Sequence, residues 1–192
     1  MSGYDAVLLA GGTASRLGGV DKPALRVDGV AMLDRVLAAV ASAQRQILVG
    51  PMADSPPGTV VTREDPPGGG PVAAIAAGLA HVTAPLVAIL AADLPFLMSS
   101  TVDSLLAAAV SGVDVAVLLD DAGHDQLLIA SWRTEALRTR LTVIGDPADQ
   151  PVRRLFDGVM IERVTAATRP GQPPPWLDCD TEDDLRRARE WS

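Results

Sequence analysis

The sequence predicts an α/β fold: a three-layer, doubly wound, mostly parallel sheet of Rossmann-like type. Hydrophobic residues make up 48% of the 192 residues but aromatic residues only 3%, so Ala, Val and Leu must fill the core. Strand-like and helix-like segments alternate along the chain, and loops rich in glycine or proline separate them. This alternation is typical of helices packed on both faces of a parallel sheet.

Seven segments have the character of strands. Each is short, mostly apolar and bounded by residues that favour turns. In chain order, the predicted strands are Asp5–Ala10, Gln46–Val49, Thr59–Thr62, Pro85–Ala92, Val113–Leu119, Leu127–Ala130 and Val159–Val164. The first is apolar, so we expect it in the centre of the sheet. The fourth is almost wholly apolar as well.

Helical segments alternate with these strands. Apolar residues recur at helical spacing between Met32 and Val40. The further predicted helices are Val72–His81, a segment that begins at Ser100, Arg133–Arg140, a short segment at Pro151–Phe156 and a last helix after Thr181. Thr181 is a favourable N-cap, and Ser100 with Asp103 is similar to a capping box.

The composition excludes several classes of function. The net charge is −8 and the pI is near 4.6, which argues against broad binding to nucleic acids or anionic membranes, because both need an extended positive surface. No apolar run is long enough for a transmembrane helix, and the N-terminus lacks the features of a signal peptide. Cys179, the one cysteine, is compatible with a reducing compartment. We expect one domain over residues 1–192, in the cytoplasm.

The segment Leu9–Lys22 (LAGGTASRLGGVDK) carries the strongest functional signal. The first strand ends at Gly11-Gly12, and a second glycine pair follows. A glycine-rich loop after a strand offers backbone N–H groups to a phosphate. Arg16 can grip phosphate oxygens with its planar fork, and Lys22 can reach one as a point charge. The segment matches neither a Walker A loop nor a dinucleotide fingerprint. We predict that it binds a nucleoside triphosphate; the alternative is a solvated surface loop.

Lys22 stands out in the composition of the chain. It is the only lysine, and the other 15 basic residues are arginine. An ammonium group is a compact point charge, whereas a guanidinium group is a planar fork, so the two are not interchangeable. A lysine at this one position supports a specific role, with chance placement as the alternative.

The same segment resembles the signature of the MobA-like nucleotidyltransferases, L-A-G-G-x-x-x-R-[ML]-G followed by a lysine. Its GGVDK portion, Gly18–Lys22, is most similar to that of the molybdenum cofactor guanylyltransferases of this family. The resemblance covers nearly the whole chain and implies a glycosyltransferase-A-type fold. The residues that it places at the nucleotide are Leu9, Ala10, Gly11 and Gly12, with Arg16 and Lys22 at the phosphates.

Two further segments offer carboxylates for a metal ion. Asp93 directly follows the apolar fourth strand, and carboxylate oxygens are ligands that Mg²⁺ prefers; the alternative is a turn or helix-cap aspartate. Asp178 and Asp180 alternate along an extended segment and project to one side, where they either complete a metal site or cap the last helix. The resemblance implies that Asp93 binds the metal and the nucleotide, and that Asp180 is the second metal ligand.

Glu64-Asp65 is the candidate for base recognition. A carboxylate can accept hydrogen bonds from the N1–H and the 2-amino group of guanine together, which adenine cannot supply. The resemblance assigns the guanosine contact to Asp65; the alternative is a turn residue before Pro66. Some members of the family carry an asparagine after the second strand, where this chain has Gly50-Pro51.

The polar loop Gly123–Gln126 is the candidate for the acceptor side. The family has a polar motif here, often Gln-Pro or His-Pro, whereas Gln126 of this chain precedes a leucine. His124 either assists binding or is a solvated loop residue. We expect His81 and Cys179 to be structural.

The resemblance implies a Mg²⁺-dependent transfer of GMP from GTP to the phosphate of molybdopterin or molybdenum-loaded molybdopterin, with release of pyrophosphate. The catalytic residues would be Arg16, Lys22 and Asp93. Two alternatives stay open: a nucleotidyltransferase of the same fold that uses CTP or another acceptor phosphate, and a non-catalytic nucleotide-binding partner in cofactor delivery. Other proteins of molybdenum cofactor biosynthesis are the candidate protein partners; no nucleic acid or membrane partner is expected.

Overall fold

The computed structural model describes residues 3–11, 25–51, 56–166, 171–179 and 181–191, apart from the side chain of Glu182. The strands are β1 (Tyr4–Leu9), β2 (Arg26–Val27), β3 (Val30–Ala31), β4 (Gln46–Val49), β5 (Thr59–Thr62), β6 (Leu86–Ala91), β7 (Val115–Leu119), β8 (Asp125–Arg133) and β9 (Ile161–Thr165). The helices are α1 (Met32–Ala39), α2 (Gly70–Leu79), α3 (Ser99–Ala109), α4 (Thr134–Ile144), a 3-10 helix (Val152–Phe156) and α5 (Glu182–Glu190).

Seven of these strands form one sheet in the order β5-β4-β1-β6-β8-β7-β9. The pairs β5-β4, β4-β1, β1-β6 and β7-β9 are parallel, and β8 is antiparallel to both of its neighbours. The predicted mostly parallel sheet is therefore confirmed, as is the central position of the first predicted strand; the fourth lies beside it. All seven predicted strands occur, and β8 extends beyond its predicted bounds to Arg133.

Alternate residues of the sheet face two separate cores, as the period of a strand requires. Ala6 and Leu8 of β1 pack with α1 and α3 on one face. Val7 and Leu9 pack with α2, α4 and the 3-10 helix on the other. Helices thus cover both faces of the sheet, which is the three-layer arrangement predicted. Among the described residues, no helix is both long and apolar enough to cross a membrane.

A third, smaller core joins the β2–β3 hairpin to α5. It contains Val27, Met32, Cys179, Leu185 and Ala188. Cys179 is fully buried there, so the prediction of a packed, structural thiol is confirmed. The hairpin turn is made by Asp28 and Gly29, both at positive φ (53° and 74°), which is the geometry that an Asp-Gly pair favours.

One of the two predicted helix caps is present and the other is absent. The Thr181 hydroxyl accepts from the Asp184 N–H, and the Asp184 carboxylate accepts from the Thr181 N–H, which completes a capping box on α5. The predicted box at Ser100 is wrong. Helix α3 begins one residue earlier with Met98 at its N-cap, so the Thr101 and Val102 N–H groups bond to the Met98 carbonyl instead.

Candidate functional site

The carboxyl ends of β4, β1 and β6 lie side by side, which is where ligands bind in sheets of this type. Leu9 is the register partner of both Val49 and Ala91. Beyond the strands, the Ala10 N–H donates to the Val49 carbonyl at 2.8 Å, and the Ala92 N–H donates to the Leu9 carbonyl at 3.1 Å. The start of the glycine-rich loop therefore adjoins the segment that carries Asp93, as the sequence predicted.

The backbone emerges from the core at Gly11. Leu9 and Ala10 are buried, whereas Gly11 is exposed. Backbone N–H groups can face a ligand only from this point onward, because the Ala10 N–H is already used within the sheet. Gly12, Arg16, Lys22 and Asp180 lie outside the described residues, so their predicted roles stay predictions.

Gly50 is a site residue that sequence reasoning missed. A Cβ on Gly50 would lie 2.7 Å from the Gly11 nitrogen and 2.8 Å from the carbonyl carbon of Ala10. Both atoms are backbone, so neither can move aside at low cost. The φ of Gly50 is 152°. Only glycine fits here beside the start of the glycine-rich loop, and the sole sequence signal was a glycine directly after a short apolar strand.

The position of Asp93 is set by the packing of the residues that follow it. Asp93 lies two residues beyond β6, and one of its carboxylate oxygens is buried. Leu94 and Leu97, which flank a turn closed by the bond from the Leu97 N–H to the Leu94 carbonyl, are anchored in the core under α1 and α3. The backbone that carries Asp93 is thereby fixed at the sheet edge next to the start of the glycine-rich loop.

The donor set at this edge fits Mg²⁺. No group of three or more His, Cys, Asp or Glu side chains converges within the described part of the chain. A preformed cage is not what Mg²⁺ needs, because it usually binds one or two carboxylates together with substrate phosphates and water. Asp93 supplies such a carboxylate. Asp178 is exposed, and the cap of α5 is made by Thr181 and Asp184.

The loop between β5 and α2 reaches the same edge. It is joined to Gly50 through the bond from the Gly50 N–H to the Thr62 carbonyl, at 3.0 Å. Asp65 is exposed and precedes the cis proline Pro66. Glu64 accepts from the Gly68 N–H through Oε1 at 3.0 Å, while its Oε2 is buried with no hydrogen-bond partner in the described ranges. Of this predicted pair, Asp65 is accessible to a ligand as it stands, whereas Glu64 holds the loop together.

Asp120 organises the turn that contains His124, and the sequence analysis did not single it out. Its carboxylate accepts from the N–H groups of Ala122 and His124, lies 3.2 Å from His124 Nδ1 and accepts from Gln126 Nε2. The backbone hydrogen bond from His124 is the largest influence that lowers the pKa of Asp120. The turn follows β7, which runs parallel to β6, so it lies at the same edge of the sheet. His124 is 76% exposed, so its ring is held in place yet open to solvent.

The geometry agrees with what comparisons with known proteins show. The model of the MobA-like NTP transferase domain matches residues 6–172. The molybdenum cofactor guanylyltransferase of Bradyrhizobium sp. (strain ORS 278) is 30% identical over 95% of this chain and 90% of its own length. The probable molybdenum cofactor guanylyltransferase of Natronomonas pharaonis is also 30% identical, over 96% of each chain.

A solved structure supports the fold. The crystal structure of molybdopterin-guanine dinucleotide biosynthesis protein A from Archaeoglobus fulgidus superposes with a TM-score of 0.75 and covers 97% of each chain at 20% identity. The family model spans most of the sequence, including the strands that build the site. The chain therefore belongs to the MobA-like NTP transferase family and is a nucleotidyltransferase.

Proposed function

We propose that this enzyme transfers GMP from GTP to the phosphate of molybdopterin, or of its molybdenum-loaded form, and releases pyrophosphate. One observation carries the proposal. The start of the glycine-rich loop and the Asp93 segment are hydrogen-bonded side by side at the ends of two central strands. This arrangement offers backbone donors and a carboxylate to one bound triphosphate, and the relatives named above are guanylyltransferases.

The protein's part in this reaction is to position groups and to neutralise charge. An oxygen of the acceptor phosphate forms a bond to the α-phosphorus, the bond from the α-phosphorus to the bridging oxygen breaks, and the electron pair leaves with pyrophosphate. The backbone from Gly11 onward would orient the phosphates, while Arg16 and Lys22 would stabilise the charge on the leaving group. Asp93, with Asp180 as the predicted second ligand, would hold Mg²⁺, which lowers the negative charge of the phosphates when bound.

The direct test is a pyrophosphate-release assay with Mg²⁺, each nucleoside triphosphate in turn and molybdopterin as acceptor. We expect release with GTP that depends on the acceptor. Release with CTP alone would favour the same-fold alternative. Binding of GTP without turnover, seen as a rise in melting temperature without pyrophosphate, would favour a non-catalytic partner in cofactor delivery.

Asp65 is the residue proposed to bind the guanine base. Inosine triphosphate tests this contact because its base lacks the 2-amino group. Asp65→Asn should lower kcat/KM for GTP by about tenfold or more, since a hydrogen bond to a charged group contributes about 1.5–3 kcal/mol. It should also abolish the preference for GTP over inosine triphosphate. Steady-state kinetics with both nucleotides measure this.

Glu64→Gln is the matched control, because it changes the neighbouring carboxylate by the same chemistry. It should retain the preference for GTP. If Glu64→Gln abolishes the preference and Asp65→Asn does not, the buried Oε2 of Glu64 contacts the base and the assignment to Asp65 is wrong.

Gly50→Ala should weaken nucleotide binding by about tenfold or more, because its Cβ would push on the backbone of Ala10 and Gly11. Titration of GTP against the variant measures the affinity. Gly58→Ala is the control: Gly58 also has a positive φ, of 81°, but nothing lies within 4 Å of its added Cβ. If both variants lose the same affinity, the cause is the strain of a side chain at positive φ and not the contact of the added Cβ with the loop.

A further inference from the structure

Arg35, on α1, forms hydrogen bonds to two segments that are distant from each other in the chain. Its Nη2 donates to the Val27 carbonyl at 2.9 Å, and its Nη1 donates to the Pro95 carbonyl at 3.5 Å. The same Nη2 lies 3.5 Å from a carboxylate oxygen of Asp28. One guanidinium group therefore connects the β2–β3 hairpin to the turn after β6. Its side chain is 26% exposed, so most of it is packed between these segments.

The two carbonyls belong to segments that each follow a predicted site residue in the sequence. Val27 follows Lys22 by five residues along the chain, and Pro95 follows Asp93 by two. The hairpin packs against α5 in the small core, whereas the turn of Asp93 is anchored under α1 and α3. Phe96 of the same turn also packs against the small core, so the two segments already meet through apolar contact. Arg35 adds a planar guanidinium group whose donors have a fixed mutual geometry.

The bond from Arg35 adds a directional contact to a turn that is also held by apolar packing. Leu94 and Leu97 are held by apolar packing, which is non-directional. A hydrogen bond to the Pro95 carbonyl is directional. The Arg35 Nε is buried and has no hydrogen-bond partner in the part of the chain that is described. An unsatisfied buried donor costs stability, so this arrangement is not the most stabilising one for an arginine.

We propose that Arg35 is a positioning residue for the metal site: it sets the turn that carries Asp93 against the hairpin, and so sets the affinity of the site for a divalent cation. The inference rests on the proposed function, because it takes Asp93 as the metal ligand. Residues that orient a metal ligand typically change metal affinity or activity by about 10–100-fold when they are replaced.

A cavity beside Arg35 makes the proposal testable. Its volume is about 560 Å³, and its walls include Ala38, Pro95, Phe96 and Ser99 as well as Arg35 itself. Truncation of the side chain would enlarge a space that is already open to solvent, so Arg35→Ala is expected to fold. Added guanidinium ion can enter the same space and reform the hydrogen bonds to the two carbonyls.

The experiment measures Mn²⁺ binding by electron paramagnetic resonance in the presence of GTP, with pyrophosphate release as a second readout. Arg35→Ala should weaken Mn²⁺ binding by about tenfold. Millimolar guanidinium chloride, far below denaturing concentrations, should restore most of it. Arg35→Lys should be intermediate, because one ammonium group cannot reproduce the fork. In Arg35→Ala, kcat measured at saturating metal should lie close to that of the unmodified enzyme. The metal concentration that gives half of this rate should stay raised.

Arg45→Ala is the matched control. Arg45 also donates to a backbone carbonyl, that of His81 at 3.1 Å, but it lies before β4 at the opposite edge of the sheet. The Arg45→Ala substitution should lower the melting temperature without changing the Mn²⁺ affinity. Added guanidinium should not change the Mn²⁺ affinity of this variant. If Arg35→Ala behaves in the same way as Arg45→Ala, Arg35 is only structural and the proposal is overturned.

The readouts separate this proposal from the proposed function. If the unmodified enzyme binds Mn²⁺ and GTP but releases no pyrophosphate, the transfer reaction is refuted while the Mn²⁺ titrations still test Arg35. If the unmodified enzyme releases pyrophosphate and Arg35→Ala leaves the Mn²⁺ affinity unchanged, the reaction stands and the role of Arg35 is refuted.

Discussion

Asp93→Asn is expected to lower nucleotidyl transfer by at least about a hundredfold while the protein stays folded. Asparagine has nearly the same size and shape but no charge, so the turn between Leu94 and Leu97 should persist. The negative charge that would hold Mg²⁺ is lost. Pyrophosphate release measures the effect, and GTP binding without Mg²⁺ should change little because the backbone donors of the loop remain.

Asp103→Asn is a suitable control for this substitution. Asp103 is an exposed carboxylate on α3, and its replacement makes the net charge of the protein less negative by the same one unit. It should leave transfer unchanged. A variant Asp93→Asn that kept more than a third of the activity at moderate Mg²⁺ would exclude Asp93 as an essential metal ligand.

Lys22→Ala is expected to lower transfer by about a hundredfold or more, because it removes a charge that would stabilise the leaving pyrophosphate in the transition state. The melting temperature without nucleotide should stay close to that of the unmodified protein. Single-turnover pyrophosphate release separates this effect from a change in product release.

Two further variants define the role of Lys22. Lys22→Arg keeps the charge but replaces a point charge by a fork, so an intermediate rate would show that the shape of the cation matters. Arg153→Ala removes an exposed cation from the 3-10 helix, which packs with α2 and α4. It should leave the rate unchanged. A loss of only a few-fold in Lys22→Ala would reduce Lys22 to a surface residue.

The strands and most helices could be predicted because their signals are local. β4 and β5 occur with the predicted bounds, and the 3-10 helix begins within one residue of the predicted position. Apolar runs bounded by turn residues define such segments whatever they pack against. The glycine-rich loop was also locally visible, since its first glycines follow a strand directly. The placement of Asp93 beside it followed from the general rule for the carboxyl ends of parallel strands.

Other features depend on partners distant in sequence, and there the local signals failed. The predicted cap at Ser100 is absent because the backbone enters α3 one residue earlier. Asp5 opens an otherwise apolar strand, yet it is fully buried and accepts from the Thr83 and Ala84 N–H groups at 2.7 and 3.0 Å. A buried carboxylate needs such donors, and nothing near Asp5 in sequence shows where they come from.

The sequence by itself determined the fold class, the glycine-rich loop after the first strand, the lone lysine and the family, because each depends on residue type and on short spacing. Only the tertiary structure decided that β8 runs antiparallel, that Gly50 must be a glycine and that Arg35 connects the hairpin to the turn of Asp93. Ile129 pairs with Leu90, Gly50 lies against Gly11 and Arg35 reaches Pro95, so these features depend on contacts between residues 39 to 60 positions apart in the chain. Contacts of that kind are set by the packing of the whole sheet, which local propensity does not encode.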